Sequence, residues 1–193
     1  MTTTNLAAAA PASRSRFRSY QLNEIGLFFA IIVLYVILTA SAAGFFTLDN
    51  QLGILRDAAT VGIAAWGVTL VIIAGEIDIS IGPAVAFASV IVAKGVAEWG
   101  LGVVGAVLLT LALGAVWGGL AGFLRAQYNV PSFIATLGLW SILGGLALYL
   151  TNALPVVLPT SSFFNVLGGD ILGIPTSAVI MLVLFAVFAY VAR

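Results

Sequence analysis

Two carboxylates, Glu76 and Asp78, stand close together in a chain that is otherwise almost free of charge. They separate an apolar run over residues 58–74 from a second apolar run over residues 79–93. A carboxylate at the centre of a bilayer costs about 2.5–3.5 kcal/mol on insertion scales, so both are expected at an aqueous boundary, in a cavity or against other protein. With Ser80 beside them, they are the best-placed polar groups to border a solute path or to support a broken helix.

The same stretch contains Gly82 followed by Pro83. Proline removes a backbone donor and disfavours the α conformation in the residue before it, which predicts irregular backbone near residues 75–83. Irregular backbone at membrane depth is tolerated only where protein buries it or water reaches it. The stretch is therefore interpreted either as a short polar loop between two helices or as the broken-helix part of a functional site.

Composition limits the class of protein. The chain has 193 residues, of which 62% are hydrophobic and 7% are charged, and its mean hydropathy is +1.20. A soluble domain has about half apolar and a quarter charged residues, so these values predict an all-α, polytopic membrane protein in contact with lipid. The formal net charge is zero and His is absent, which argues against nucleic-acid binding, metal catalysis and a histidine proton relay.

Several chemistries are excluded by residues that the sequence lacks. Without Cys there is no disulfide framework, thiol nucleophile or cysteine-ligated cluster. Lys94 is the single lysine and no Gly-Lys-Ser/Thr sequence occurs, so a phosphate-binding P-loop is missing. If nucleotide drives this protein, another polypeptide must hydrolyse it. A membrane enzyme is disfavoured too, because the sequence offers no nucleophile–base or metal-ligand constellation.

The apolar runs predict a bundle of about six transmembrane helices with a broken-helix segment near residues 75–83. The predicted spans are 25–46, 58–74, 79–96, 100–123, 132–150 and 171–191. Residues 151–170 carry Pro, Ser and Gly and are predicted to form a broken segment on the outer side. Residues 1–24 are predicted to be a flexible cytoplasmic tail, and residues 25–193 a transmembrane domain.

The basic residues give this bundle a predicted orientation. Arg14, Arg16 and Arg18 favour a cytoplasmic N-terminus by the positive-inside rule. In the resulting topology five basic residues lie on the inner side and two, Arg56 and Lys94, on the outer side. A signal peptide is the competing interpretation of the N-terminus, but the run over residues 25–46 is long enough to span a membrane.

A stripe of small residues recurs at every fourth position of the predicted fourth helix. Small side chains allow another helix to approach closely, so the stripe predicts helix packing, either within the chain or at a homodimer seam. Its members are Gly102, Ala106, Thr110, Gly114, Gly118 and Gly122.

Two stretches resemble a known family. Residues 71–82, Val-Ile-Ile-Ala-Gly-Glu-Ile-Asp-Ile-Ser-Ile-Gly, are similar to the Gly-Gly-Ile-Asp-Leu-Ser-Val-Gly signature of permease subunits of bacterial ABC sugar importers, the ribose/xylose/autoinducer type. Residues 130–138, Val-Pro-Ser-Phe-Ile-Ala-Thr-Leu-Gly, followed by Thr151-Asn152, resemble a second pattern of the same family. The chain departs from these patterns at Glu76, where the second glycine is usual, and at Ala153, where glycine usually follows Thr-Asn.

The resemblance implies a pore-forming subunit in the bacterial inner membrane that imports a monosaccharide. It implies three partners: an ABC ATPase that carries ATP and Mg, a periplasmic sugar-binding protein, and a second permease copy in a homodimer or heterodimer. Because permeases of this family are longer, the chain is expected to be their N-terminal portion without the cytoplasmic coupling segment. No cofactor, metal or catalytic residue is expected on this chain.

The sugar path implied by the resemblance has candidate residues here. Glu76, Asp78 and Ser80 would border it. Thr136 and Asn152 would form hydrogen bonds to hydroxyls, and Phe133 would present an apolar face to a sugar ring. Three alternatives stay open: an ATP-independent sugar facilitator, an ion-coupled secondary transporter with an ion site near residues 75–83, and a truncated permease that does not transport.

Overall fold

The structure is a computed structural model that describes residues 14–158 and 160–191. It is α-helical with one small hairpin, which confirms the predicted fold class. In chain order the elements are α1 Arg14–Ser41, α2 Leu48–Ile73, α3 Ile81–Ala97, α4 Gly102–Tyr128, α5 Ser132–Thr151, α6 Ser162–Gly168, β1 Asp170–Ile171, β2 Ile174–Pro175 and α7 Thr176–Val191.

Six of these helices are apolar in the way the sequence predicts for membrane spans. By length and composition, α2, α4 and α5 can cross a membrane, whereas α3, α7 and the Ile25–Ser41 part of α1 are shorter apolar helices. The short α6 was not predicted. Its N-cap residue is Ser161, whose side-chain oxygen accepts a hydrogen bond from the Phe164 N–H at 3.3 Å.

The structure corrects several predicted boundaries. The backbone is already helical from Arg14, within the predicted tail, while the part of that tail before Arg14 lies outside the described residues. Arg56 and Asp57, predicted to lie in an outer segment, are inside α2, and residues 170–175 form a β-hairpin where a helix was predicted to begin. Gly82 and Pro83 lie in the first turn of α3 rather than in irregular backbone, because proline is tolerated where the N–H would have no helical partner.

The described chain divides into two compact units, Met1–Gln51 and Leu52–Arg193. In the first unit, the turn after α1 is fixed by side chains on both of its sides. The rings of Tyr35 and Phe45 meet edge to face with centroids 5.3 Å apart. The amide groups of Asn50 and Gln51 donate to the Phe45 carbonyl at 2.6 and 2.8 Å. The domain limits predicted from the sequence stay a prediction.

The core of the second unit is formed where α3 packs against α4 and α5. Its buried residues repeat at helical spacing, Phe87 and Ile91 on α3 and Leu139, Leu143 and Ala147 on α5. The two helices α3 and α4 approach closely at Gly95, where a Cβ would lie 2.8 Å from the Ala106 Cβ. This part of the small-residue stripe therefore packs as the sequence predicts.

On another side of the same unit, α7 contacts α2. The rings of Trp66 and Phe185 have centroids 4.5 Å apart, and Met181 covers Gly62. An ion pair between Arg56 and Asp170, 2.9 Å apart, connects α2 to the hairpin.

Left-handed backbone ends several helices of this unit. Gly75 follows α2 with φ +77°, Asn129 ends α4 with φ 52°, and Asn152 ends α5 with φ 50°. Glycine and asparagine adopt this conformation most readily, so the three helices end at or just before these residues. Residues 74–80 are the connection between α2 and α3, and the predicted break near residues 75–83 is confirmed in that shorter form.

Candidate functional site

A cavity of about 510 Å³ lies among the helices of the second unit. Its wall is formed by the end of α2, residues 76–80, α3, α4 and the first part of α5. This volume falls within the roughly 300–1,000 Å³ that is usual for small-molecule sites.

Most of the cavity wall is apolar. Aliphatic and aromatic side chains from four helices contribute to it, among them Leu70, Phe87, Ile91, Leu113, Trp117, Leu139 and Leu143. The indole N–H of Trp117 is buried and has no hydrogen-bond partner among the described residues. An apolar wall with a few polar groups at one place is the usual composition of a site for a small solute.

The polar groups of the cavity gather at the connection between α2 and α3, here called the 74–80 segment. Its backbone is held by two hydroxyls on the first turns of α5. The Ile77 N–H donates to Ser132 Oγ at 3.1 Å, and the Ile79 N–H donates to Thr136 Oγ1 at 3.3 Å. Thr136 Oγ1 also donates to the Ile77 carbonyl at 3.3 Å. The start of α5 thus supplies partners for backbone groups that no helix satisfies.

Asp78 and Ser80 form a local structure at the entrance to α3. Asp78 Oδ1 accepts from the Ser80 N–H at 2.7 Å and from Ser80 Oγ at 2.6 Å. Ser80 is the N-cap residue of α3 and is buried. A carboxylate that bonds a backbone N–H two residues later stabilises a turn, so Asp78 orients the start of α3 while it also lines the cavity.

Glu76 connects the 74–80 segment to α4. Its Oε1 accepts from Arg125 Nε at 2.6 Å, and both residues line the cavity. The nearby hydroxyl of Ser132 and then the guanidinium of Arg125 lower the pKa of the Glu76 carboxyl from its ordinary value of 4.5. Glu76 is therefore a charged carboxylate at neutral pH, paired with the last basic residue of α4.

The residues predicted from the sequence fall into two groups. Glu76, Asp78, Ser80 and Thr136 all line the cavity, although Thr136 is engaged in holding backbone. Phe133 and Asn152 do not line it. Phe133 is 48% exposed on α5, and Asn152 is the exposed left-handed residue at the opposite end of that helix.

The glycines predicted for helix packing lie on the wall of the cavity. Gly114, Gly118 and Gly122 line the cavity, and a Cβ on any of them would meet nothing within 4 Å among the described residues. Within this part of the chain they do not form a close helix contact. Their missing side chains instead leave space inside the cavity.

Three residues of the site were not singled out from the sequence. In the sequence, Arg125 follows the predicted span 100–123, Ser132 begins the predicted span 132–150, and Trp117 lies within the first of these spans. Arg125 pairs with Glu76 in the structure, and these two opposite charges in a chain with few charged residues were the available signal for the pair. The described residues contain no group of three or more His, Cys, Asp or Glu side chains that could hold a metal ion.

Comparison with known proteins gives a consistent result. Residues 50–192 match the family described as branched-chain amino acid transport system, permease component. The probable ABC transporter permease protein YphD of Escherichia coli K12 is 52% identical over 181 residues, covering 94% of this chain and 54% of that protein. The ribose import permease RbsC of Haemophilus influenzae is 34% identical over 170 residues, covering 86% of this chain and 52% of that protein.

A further relative widens the range of named substrates. The L-arabinose ABC transporter permease AraH of Azospirillum brasilense is 33% identical over 191 residues, covering 97% of this chain and 55% of that protein. The chain spans about half the length of these relatives, and no solved structure matches it. The resemblance found in residues 71–82 and 130–138 is confirmed. The chain belongs to the membrane-permease family described as branched-chain amino acid transport system, permease component.

Proposed function

We propose that this chain forms part of the membrane-spanning permease of an ATP-driven importer for a monosaccharide. The single observation that carries the proposal is the 510 Å³ cavity between membrane helices, which is mostly apolar and has its charged groups at the 74–80 segment and the neighbouring Arg125. The relatives named for ribose and arabinose support a sugar as the solute. The family description names branched-chain amino acids, but the carboxylates of the cavity do not favour a ligand that carries a carboxylate of its own.

The chemistry of the cavity agrees with a neutral, hydroxyl-rich solute. Glu76, Asp78 and Arg125 place charged hydrogen-bonding groups at one end of the cavity. Trp117 and the aliphatic wall provide apolar surface for the C–H faces of a sugar ring, and its indole N–H is a free donor in the described part of the chain. Among these groups two negative charges face one positive charge, so a sugar phosphate or sugar acid is disfavoured.

The energy for transport would come from another polypeptide. The chain has no Gly-Lys-Ser/Thr sequence, so ATP and magnesium bind to a partner ABC ATPase in this proposal. A periplasmic sugar-binding protein delivers the solute, and a second permease copy completes the translocation path. The protein lies in the bacterial inner membrane with its N-terminus in the cytoplasm.

An ion-coupled carrier is less well supported than an ATP-driven permease. Such a carrier needs an ion site, usually a carboxylate inside a span. Glu76 and Asp78 are the carboxylates of the cavity, and one oxygen of each is engaged, Glu76 Oε1 by Arg125 and Asp78 Oδ1 by Ser80. An ATP-independent facilitator and a permease fragment that does not transport are the remaining alternatives.

The test begins with affinity purification of this chain from its native membrane in mild detergent. Mass spectrometry is expected to find a P-loop ATPase in near-equal amount, together with a sugar-binding protein. The purified complex is then reconstituted into vesicles, and uptake of ribose and arabinose is measured with and without ATP. Uptake that needs ATP supports the proposal. Uptake without ATP and without an ATPase favours a facilitator, and absence of both partner and uptake favours a non-transporting fragment.

A further inference from the structure

The cavity ends at a place where three elements meet through side chains rather than through packed helices. Glu76 follows the end of α2, Arg125 lies in the last turn of α4, and Ser132 begins α5. Arg125 donates to Glu76 at 2.6 Å, and the Ser132 hydroxyl accepts from the Ile77 N–H at 3.1 Å. Two neighbouring residues of the 74–80 segment therefore connect it to α4 and to α5 at one end of the cavity.

The exposure of this pair places it on the rim of the cavity. Both residues line the cavity, yet the Glu76 side chain is 28% exposed and the Arg125 side chain is 44% exposed. They lie between the interior and the solvent-accessible surface of the unit. Ion pairs with this exposure contribute little to stability, so the pair can break without loss of the fold.

The 74–80 segment is held at two separate places. Residues 77–79 are bonded to Ser132 and Thr136 on α5, whereas Glu76 is bonded to Arg125 on α4. Breaking the Glu76–Arg125 pair leaves the bonds of residues 77–79 in place. The left-handed Gly75, with φ +77°, lies directly before Glu76 and gives the backbone a residue that adopts other conformations at low cost.

We propose that the Glu76–Arg125 ion pair is a latch that controls the entry of water and polar solute at this end of the cavity. With the pair formed, the carboxylate and the guanidinium bridge the gap between α4 and the 74–80 segment. With the pair broken, the two side chains separate and the cavity opens to water at its rim. Glu76 stands where the resembled signature has glycine, so the latch is a feature of this sequence rather than of the signature.

Water access can be measured directly because the chain has no Cys of its own. Gly118→Cys places one thiol in the cavity, at a position where a Cβ meets nothing within 4 Å. The full chain is reconstituted in lipid nanodiscs and labelled with a small anionic methanethiosulfonate reagent, which does not cross lipid. The labelling rate is compared between Gly118→Cys alone and the same variant with Glu76→Gln or Arg125→Gln.

The latch predicts that both substitutions raise the labelling rate, on the order of tenfold. An electrostatic effect on the anionic reagent predicts rates that move in opposite directions, because Glu76→Gln removes a negative charge and Arg125→Gln removes a positive charge. Rates that move in opposite directions, or that do not move, overturn the proposal. Glu76→Arg combined with Arg125→Glu restores an ion pair and is expected to return the rate toward that of the parent.

Control variants distinguish a change in water access to the cavity from a change in folding. Leu172→Cys lies on the hairpin, where the side chain is 98% exposed, and should label at one rate in all backgrounds. Leu111→Cys lies on the outer surface of α4, 65% exposed in the isolated chain, and should stay unlabelled in lipid. If Arg125→Gln is not recovered, Arg125→Lys replaces it, because lysine keeps the positive charge. Arg125→Lys should raise the labelling rate less than Glu76→Gln does. A rise equal to or greater than that of Glu76→Gln overturns the latch.

The proposed transport function gives the latch its physiological meaning, but the labelling test does not depend on it. An unchanged labelling rate with intact uptake would reject the latch and leave the permease proposal standing. Increased labelling in both variants without any uptake by the parent complex would support the latch and count against the permease proposal.

Discussion

The two ends of α5 carry the two halves of the second family-like pattern, yet they have different structural roles. At its start, Ser132 and Thr136 bond the backbone of the 74–80 segment, and both line the cavity. At its end, Asn152 and Ala153 are exposed residues in the left-handed conformation. A hydroxyl that supports another segment acts through a long-range contact, whereas a helix-ending residue acts through its own backbone angles. Substitutions at the two ends should therefore have effects of different size and cause.

The largest effect is expected at the start of α5. Thr136→Val keeps the shape of a side chain that is 4% exposed but removes its hydroxyl, so the Ile79 N–H and the Ile77 carbonyl lose a partner. Leaving a buried polar group unsatisfied costs about 1–3 kcal/mol. The midpoint of thermal unfolding in detergent, followed by circular dichroism, should fall clearly.

Thr151→Val is the matched control at the other end of the helix. The hydroxyl of Thr151 bonds the Ala147 carbonyl of its own helix at 2.9 Å, and that carbonyl has a helical partner as well. This variant should unfold within about 0.5 kcal/mol of the parent, as is usual for substitutions away from special features. Equal losses in both variants would contradict a special role for the start of α5.

A smaller effect is expected at Gly75, which connects α2 to the supported segment. Its φ of +77° disfavours any other residue, while a Cβ there would meet nothing within 4 Å. Gly75→Ala therefore tests backbone strain alone, and the free energy of unfolding should fall by about 1–2 kcal/mol. Gly118→Ala, in a helix and with equally open surroundings, should be neutral or slightly stabilising. A loss in the second variant equal to that in the first would rule out strain at Gly75 as the cause.

At the far end of α5 the expected effect is smaller again and opposite in sign. Ala153 has φ 57°, where the resembled pattern has glycine. Ala153→Gly should relieve this strain and stabilise the protein by up to about 1 kcal/mol. Ala112→Gly, on an exposed part of α4, should destabilise it by a similar amount through helix propensity. If Ala153→Gly also destabilised the protein, Ala153 would not be strained.

Lowering the pH should have the smallest effect on stability, and this effect arises at the Glu76–Arg125 ion pair. The Glu76 pKa is lowered by Ser132 and Arg125, so the stability that the carboxylate contributes is fully present above pH 4.5. It is lost as the pH falls from 4.5 through the lowered value in the folded protein. The difference in unfolding midpoint between the parent and Glu76→Gln should shrink over that range. If the difference in unfolding midpoint stayed constant from neutral pH to below the pKa of Glu76 in the folded protein, the charge of Glu76 would not contribute to stability.

The sequence predicts the helical class well because long apolar runs with few charges have one solution in a membrane. It also locates the break near Glu76 and Asp78, since carboxylates between two apolar runs must leave the hydrocarbon region. The sequence places the start of α2 too late. The charged residues Arg56 and Asp57 indicate a loop, but they lie within the helix. Arg56 is paired with Asp170, a partner over a hundred positions away, and such a pairing cannot be read from local sequence.

The candidate site was predicted in part for a related reason. Residues that interrupt an apolar run are visible in the sequence, so Glu76, Asp78 and Ser80 were found. Phe133 and Asn152 belong to the resembled pattern, but a pattern does not show which residues face a cavity and which end a helix. The stripe that includes Gly118 predicts helix packing, within the chain or at a homodimer seam, and that stays a prediction. Among the described residues these glycines leave space in the cavity, and the sequence does not distinguish glycines that pack from glycines that leave space.

The contact between α2 and α7 has a consequence for oxidation. The chain has no Cys and two Met residues, of which Met181 lies in α7 and covers Gly62. A Cβ at Gly62 would lie 2.5 Å from the Met181 sulfur, so the thioether fills space that only a glycine leaves open. Oxidation to the sulfoxide adds a polar oxygen to that sulfur. Oxidation of Met181 would therefore push α2 and α7 apart, and reduction of the sulfoxide by a sulfoxide reductase would restore their contact.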